Sequence, residues 1–111
     1  MQVWKVIMGG DRGSITNTTY SLIYPYRKWV KPKIGRIFCF KNVDDAKVFL
    51  GSTPYNDCRI VPAEAKDVRI KRKVAERGDG QSILSFWKNS RVFKAKAPQG
   101  TYTCSAIKCL Q

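Results

Sequence analysis

Lysine and arginine side chains interleaved with aromatic rings are the residues of this chain best suited to chemistry, and the chemistry they suit is the holding of anions. Arg27, Lys28, Lys31 and Lys33 flank Trp29, and Arg36 follows closely. An indole can stack a base while neighbouring ammonium groups hold the phosphates on either side of it. The same pattern also arises when the indole packs on a core and the lysines face water. A second group, Arg69, Lys71 and Lys73, alternates with Val68, Ile70 and Val74, while Arg72 interrupts the apolar side. That period of two is expected of a strand with one buried and one wet face. Like charges along such a face repel, so it reads either as an edge guarded against aggregation or as a docking face for an anion. Lys88 and Arg91 form a third group. The candidate nucleic-acid contacts are therefore Lys28, Trp29, Lys31, Lys33, Arg36, Arg69, Lys71, Lys73, Lys88 and Arg91, with Trp87 as a second candidate for stacking.

The formal charge of +13, from 21 Lys and Arg against 8 Asp and Glu, extends this reading to the whole chain. Charge so far from zero speaks of partners and solubility rather than fold. It fits a nucleic acid, an acidic protein surface or an anionic membrane. It fits equally a well-solvated surface with no partner.

Other chemistry finds little support. The chain has no His, so Ser-His and Cys-His nucleophile systems are excluded. Asp44 and Asp45 are adjacent carboxylates, but a helix first turn accounts for them. Glu64 and Glu76 read as surface ion-pair partners. Gly9-Gly10-Asp11-Arg12-Gly13 resembles a phosphate loop only superficially. Such a loop needs a helix N-terminus behind it, and residues 14–24 are rich in Thr, Ile and Tyr. The four cysteines, Cys39, Cys58, Cys104 and Cys109, contain no Cys-x-x-Cys pair. They read as reduced, buried structural thiols rather than a zinc site. Cys104 and Cys109 differ by an odd number, which on a regular strand sends them to opposite faces. The expectation is a protein that is not an enzyme, with no metal and no cofactor.

Several elements must position these residues. A length of 111 residues fits one domain, 1–111, able to bury a real core. No apolar run is long enough to span a bilayer. The N-terminus opens directly on a strand pattern, so the expected location is the cytoplasm. Residues 3–8 read as the first strand, 14–24 as an extended segment and 26–34 as an exposed loop. Residues 35–41 form a mostly buried strand. Asn42 then suits a helix N-cap, with Asp44 and Asp45 favoured in the first turn. Val43, Ala46, Phe49 and Leu50 share one face of a helix over 43–50 that Gly51 stops. A strand at 58–61 follows. Gly78-Asp79-Gly80 signals a hairpin, with strands over 67–76, 82–88, 91–96 and 101–110. The fold class is α+β: a single domain with a twisted, mostly antiparallel sheet, a C-terminal four-strand meander and one short helix.

The order of some segments resembles known proteins. A Ser- and Tyr-rich segment over 14–24 precedes Lys28-Trp29-Val30 with Pro32-Lys33, then Gly35, Ile37-Phe38 and Phe40. Ala46 and Phe49 follow on a short helix, and Pro98, Gly100 and Thr101 precede the last strand. This is similar to small uncharacterised basic proteins encoded by bacteriophages and prophages. The middle portion also resembles the split sheet of ADP-ribosyltransferase-like folds. It departs from them in having no His or Arg on a cofactor strand, no Ser-Thr-Ser segment and no late acidic pair, which implies an inactive version. The phage resemblance implies a host-cell cytoplasmic location and an alternative function. In that role the chain is an inhibitor or adaptor binding an acidic host protein, as an anti-defence or anti-CRISPR factor does. The leading expectation remains a small non-enzymatic module that binds DNA or RNA through its phosphates.

Overall fold

The computed structural model describes residues 1–14, 21–53, 57–75, 80–88 and 94–111. Its centre is a curled antiparallel sheet. Strand β1 (Gln2–Met8) pairs along its length with β4 (Cys58–Lys66), from Gln2 opposite Glu64 to Met8 opposite Cys58. On its other side β1 meets β3 (Ile37–Phe40), with Trp4 opposite Phe40. Strand β8 (Thr101–Cys104) pairs with β3, and β9 (Ala106–Cys109) pairs with β4. The edges are two short strands, β2 (Trp29–Val30) on β9 and β5 (Arg69–Ile70) on β8. The hydrogen-bonded order is β2-β9-β4-β1-β3-β8-β5.

Ser105 alone separates β8 from β9, yet β3, β1 and β4 lie between them in that order. The sheet must therefore curl until a single kinked strand, 101–109, borders both β3 and β4. Strands that bend and change partner make such corners. Ser105 holds the bend, its N–H donating to the Lys66 carbonyl at 2.9 Å. The bend also resolves the cysteine question. A residue taken out of the ladder shifts the alternation by one, so Cys104 and Cys109 both point into the same core.

That core fills the concave side. Val3, Ile7, Ile37, Cys39, Val61, Ala63, Ala65, Cys104, Ile107 and Cys109 meet there, capped by Tyr24 and Leu22. The alternation Val3, Lys5, Ile7 brings a lysine in with them. Lys5 is 9% exposed; its Nζ donates to the Phe38 carbonyl at 2.8 Å and lies 5.0 Å from the Tyr24 ring centroid. The convex side carries the helix α1 (Val43–Ser52), which seats Ala46, Phe49 and Leu50 on Trp4, Val6, Phe40, Cys58 and Ile60. Asn42 caps it as expected, accepting from the Asp44 N–H at 2.8 Å. The helix runs through Gly51, where the sequence suggested a stop, and ends at Thr53. Asp44 faces water, whereas Asp45 is half-buried against Gly100, whose φ of +78° suits glycine.

The fold is α+β and mostly antiparallel. The four-strand meander over 67–110 is not formed. Residues 82–88, expected as a strand, lie in the helix α2 (Gly80–Lys88). Ile83, Leu84, Phe86 and Trp87 satisfy spacings of three and four as well as alternation, and short apolar runs do not separate the two. Packing selects the helix. Phe86 is buried, and Trp87 lies 5.7 Å from Phe38, centroid to centroid. Gly80 opens this helix rather than closing a hairpin; residues 78 and 79 lie outside the described residues. The expected strand over 67–76 is broken into β5 and β6 (Lys73–Ala75), and β6 pairs with β7 (Lys94–Lys96) in a separate two-stranded ribbon. The break falls at Lys71 and Arg72, whose backbones bond elsewhere: Lys71 N–H to Thr101 and Ala97 N–H to Arg72. The radius of gyration, 12.8 Å, matches the roughly 13 Å expected of one domain of this length.

Candidate nucleic-acid interface

Trp29 stands on an edge strand on the convex side of the sheet. The chain reaches it through a sharp turn. Arg27 has a φ of +58°, and its N–H donates to the Cys109 carbonyl at 2.8 Å. Pro32 follows two residues after β2, consistent with an edge that cannot extend inward. The register places Trp29 opposite Lys108 and Lys108 opposite Glu64, so these three share one face. Lys66, two residues beyond Glu64, lies on that face too. Its Nζ sits 4.2 Å from the Trp29 ring centroid, and that of Lys108 sits 5.1 Å away. An ammonium over an indole face is attracted by the ring quadrupole. Helix α1 rests on β1, β3 and the Cys58–Ile60 half of β4. The other half of β4, with β9 and β2, leaves Trp29 42% exposed and Lys66 exposed. Glu64 is turned to the chain terminus, 3.6 Å from the Met1 ammonium. Lys28 is exposed beside Trp29. The result is an open patch of sheet with an exposed ring on its edge strand and two ammonium groups over that ring.

Arg36 does different work. Its Nε donates to Thr103 Oγ1 at 2.8 Å, Nη1 to Asp67 Oδ2 at 2.9 Å, and Nη2 to the carbonyls of Thr103 and Asp67. Four donated bonds leave little of the guanidinium for a ligand. They tie β3, β8 and the turn at Asp67, which has a φ of +55°, to one another. The Arg36 guanidinium, and after it Arg69, hold the Asp67 carboxyl below its usual range. Arg69 is exposed but bonded to Asp67 Oδ1 at 3.1 Å. Lys71 is half-buried, its Nζ 4.9 Å from the Phe86 ring and 5.4 Å from Trp87. Trp87 itself is not free to stack a base, since it lies on the backbone of Gly35, whose φ is +61°. Lys73 is exposed on the ribbon, directly opposite Lys96. Lys31, Lys33 and Lys88 are exposed. Arg91 lies outside the described residues.

The sequence-predicted cations are thus spread over several settings: the Trp29 edge and the loop after it, the Arg36–Asp67 cluster, the α2 helix, where Lys71 meets its rings and Lys88 ends it, and the β6–β7 ribbon. Sequence reasoning missed Lys66 and Lys108, the two that reach Trp29. Alternation of Ala63 and Ala65 with Glu64 and Lys66 is a readable sign of a wet strand face, but only the long-range register shows what that face meets.

The thiols are structural in setting. Cys39, Cys104 and Cys109 are buried in the concave core, and Cys58 lies on the convex side with its Sγ 3.6 Å from Met8 Sδ. A hydrogen bond with Cys104, together with burial, pushes the Cys39 thiol far up, and burial raises Cys109. Among the described residues no group of three or more Cys, Asp or Glu is placed to hold a metal ion. Nor, among them, is any helix long and apolar enough to cross a membrane. The Gly9–Gly13 segment is a turn closed by the Met8 N–H on the Gly13 carbonyl at 2.9 Å, and Gly13 then bridges to Ile23 as extended chain. No family model, curated protein or solved structure gives a significant match to this chain.

Proposed function

We propose that this protein is a non-enzymatic nucleic-acid-binding module whose contact surface is the open sheet face around Trp29, Lys66 and Lys108. The carrying observation is the exposed indole with two ammonium groups within about 5 Å of its ring centroid, on a part of the sheet that α1 leaves uncovered. A flat ring with two cations on flexible stems over it has the chemistry of a stacking platform with phosphate contacts once those side chains turn outward. Lys28 extends the charge along the strand edge, and the overall charge of +13 draws an anionic polymer towards it. Relative to the sequence reading, which spread the contacts over three groups, the proposed site narrows to the β2-β9-β4 face.

The test is binding of the purified protein, after a high-salt wash, to labelled DNA and RNA oligonucleotides at low and at physiological salt. Retention of binding near 0.15 M salt, where the screening length is about 8 Å, supports a dedicated site. Binding confined to low salt overturns it and leaves the charge as a general surface property. A phage-type inhibitor seated in an acidic host groove is the reading such a negative result leaves in place.

A further inference from the structure

Resting on that reading, we infer that the Trp29 face selects single-stranded nucleic acid and stacks an unpaired base on the indole. In a duplex the faces of the bases are hidden within the stack, so an exposed ring has nothing to stack on except at an end. A single strand offers a π-face at every nucleotide. Trp29 lies on a sheet surface, not at the tip of a protruding element, and the ammonium groups of Lys66 and Lys108, which lie over the ring in the free protein, sit on flexible four-carbon stems that can turn outward to the phosphates on either side of a stacked base. Neither helix is built for a duplex groove. In α1, Lys47 is offset by Asp44 and Asp45 in the first turn; in α2, the sole charged residue is Lys88 at the end. Besides the helices, the β6–β7 ribbon is a described element of a shape that a major groove admits. Lys73 and Lys96 lie opposite each other on it and the exposed Arg72 precedes it, so it can touch phosphates, but neither of its strands carries an aromatic ring on which a base could stack.

The experiment measures affinity for a 20-nucleotide dT strand, the matching rU strand and a duplex of the same length, at 0.15 M salt. It uses the wild-type protein and the variants Trp29→Leu, Trp29→Phe and Lys73→Gln/Lys96→Gln. Both single strands should bind at least tenfold more tightly than the duplex. Trp29→Leu should lose about tenfold or more on single strands, the loss expected when one stacked base is removed, and change duplex binding little. Trp29→Phe keeps a ring and should recover most of the loss. Equal affinity for duplex and single strand, or an unchanged affinity in Trp29→Leu, overturns single-strand selection while leaving nucleic-acid binding intact. Duplex preference that disappears in Lys73→Gln/Lys96→Gln assigns the site to the ribbon and likewise overturns it. Binding of none of the three overturns the inference and the function beneath it together.

Discussion

Arg36 and the Trp29 face look alike in sequence and differ completely in the folded protein. Arg36 and Trp29 belong to the same basic stretch, seven residues apart. Arg36 meets a carboxylate and two groups of Thr103, and its donors are consumed in joining β3 to β8 and the Asp67 turn. Among the described residues Lys66 and Lys108 form no ion pair, Glu64 opposite Lys108 being turned to the Met1 ammonium; they meet an indole face. A cation that the fold neutralises is architecture. A cation left over an aromatic ring on an uncovered face remains available to a partner. Whether an acidic residue is brought within reach decides between the two, and the local sequence does not show it.

Substitutions can break this comparison from either side. The largest effect is expected at Gly35, beside Arg36. A β-carbon there would overlap the Trp87 indole, and a non-glycine residue at this φ adds about 1–3 kcal/mol of backbone strain. Gly35→Ala should therefore lower the urea midpoint more than any surface change, with the remaining folded protein still binding oligonucleotide. Arg36→Ala comes next. It strips the donors from Thr103, which is 2% exposed, at a cost of about 1–3 kcal/mol. Its affinity for single strands, corrected for folded fraction, should stay within twofold of wild type. A tenfold loss would show that Arg36 belongs to the site after all.

Lys66→Gln/Lys108→Gln should do the reverse. Removing two ammonium groups that each neutralise a phosphate of a single strand flattens the slope of log affinity against log salt by about 1.4, or roughly tenfold in affinity near physiological salt. The urea midpoint should not fall. An unchanged slope would place the phosphates elsewhere.

The smallest effect separates the regions by pH. Asp67 is held below its usual range, first by the Arg36 hydrogen bond, so the folded protein takes up that proton less readily than the unfolded chain does. The stability it contributes is complete above about pH 4, the ordinary aspartate range. It is lost as pH falls through the lower folded-state value. Asp67→Asn should remove this acid-side decline in urea midpoints and leave oligonucleotide binding at pH 7 unaltered.

The local signals in the sequence were good guides. Gly35 followed by Ile37-Phe38-Cys39-Phe40, then Asn42 ahead of two aspartates, identifies β3, the cap and α1, because capping and strand composition act within a few residues. Residues 82–88 misled because Ile83, Leu84, Phe86 and Trp87 fit both periods, and only their seat against Phe38 and Gly35 chooses between them. The odd spacing of Cys104 and Cys109 misled because the bend at Ser105 resets the alternation. The candidate site was half legible. Trp29 among its lysines could be singled out; Lys66 and Lys108 could not, since they reach it through pairings across some forty and eighty residues.

The most direct test is a nitrogen–proton correlation spectrum of the isotope-labelled protein, followed while a dT oligonucleotide is added. The largest shifts should fall at residues 28–30, 64–66 and 106–108 and on the Trp29 indole N–H, with Arg36 and Asp67 nearly still. Shifts centred on residues 69–75 instead, with the Trp29 indole unmoved, would contradict the assignment of the site to this face.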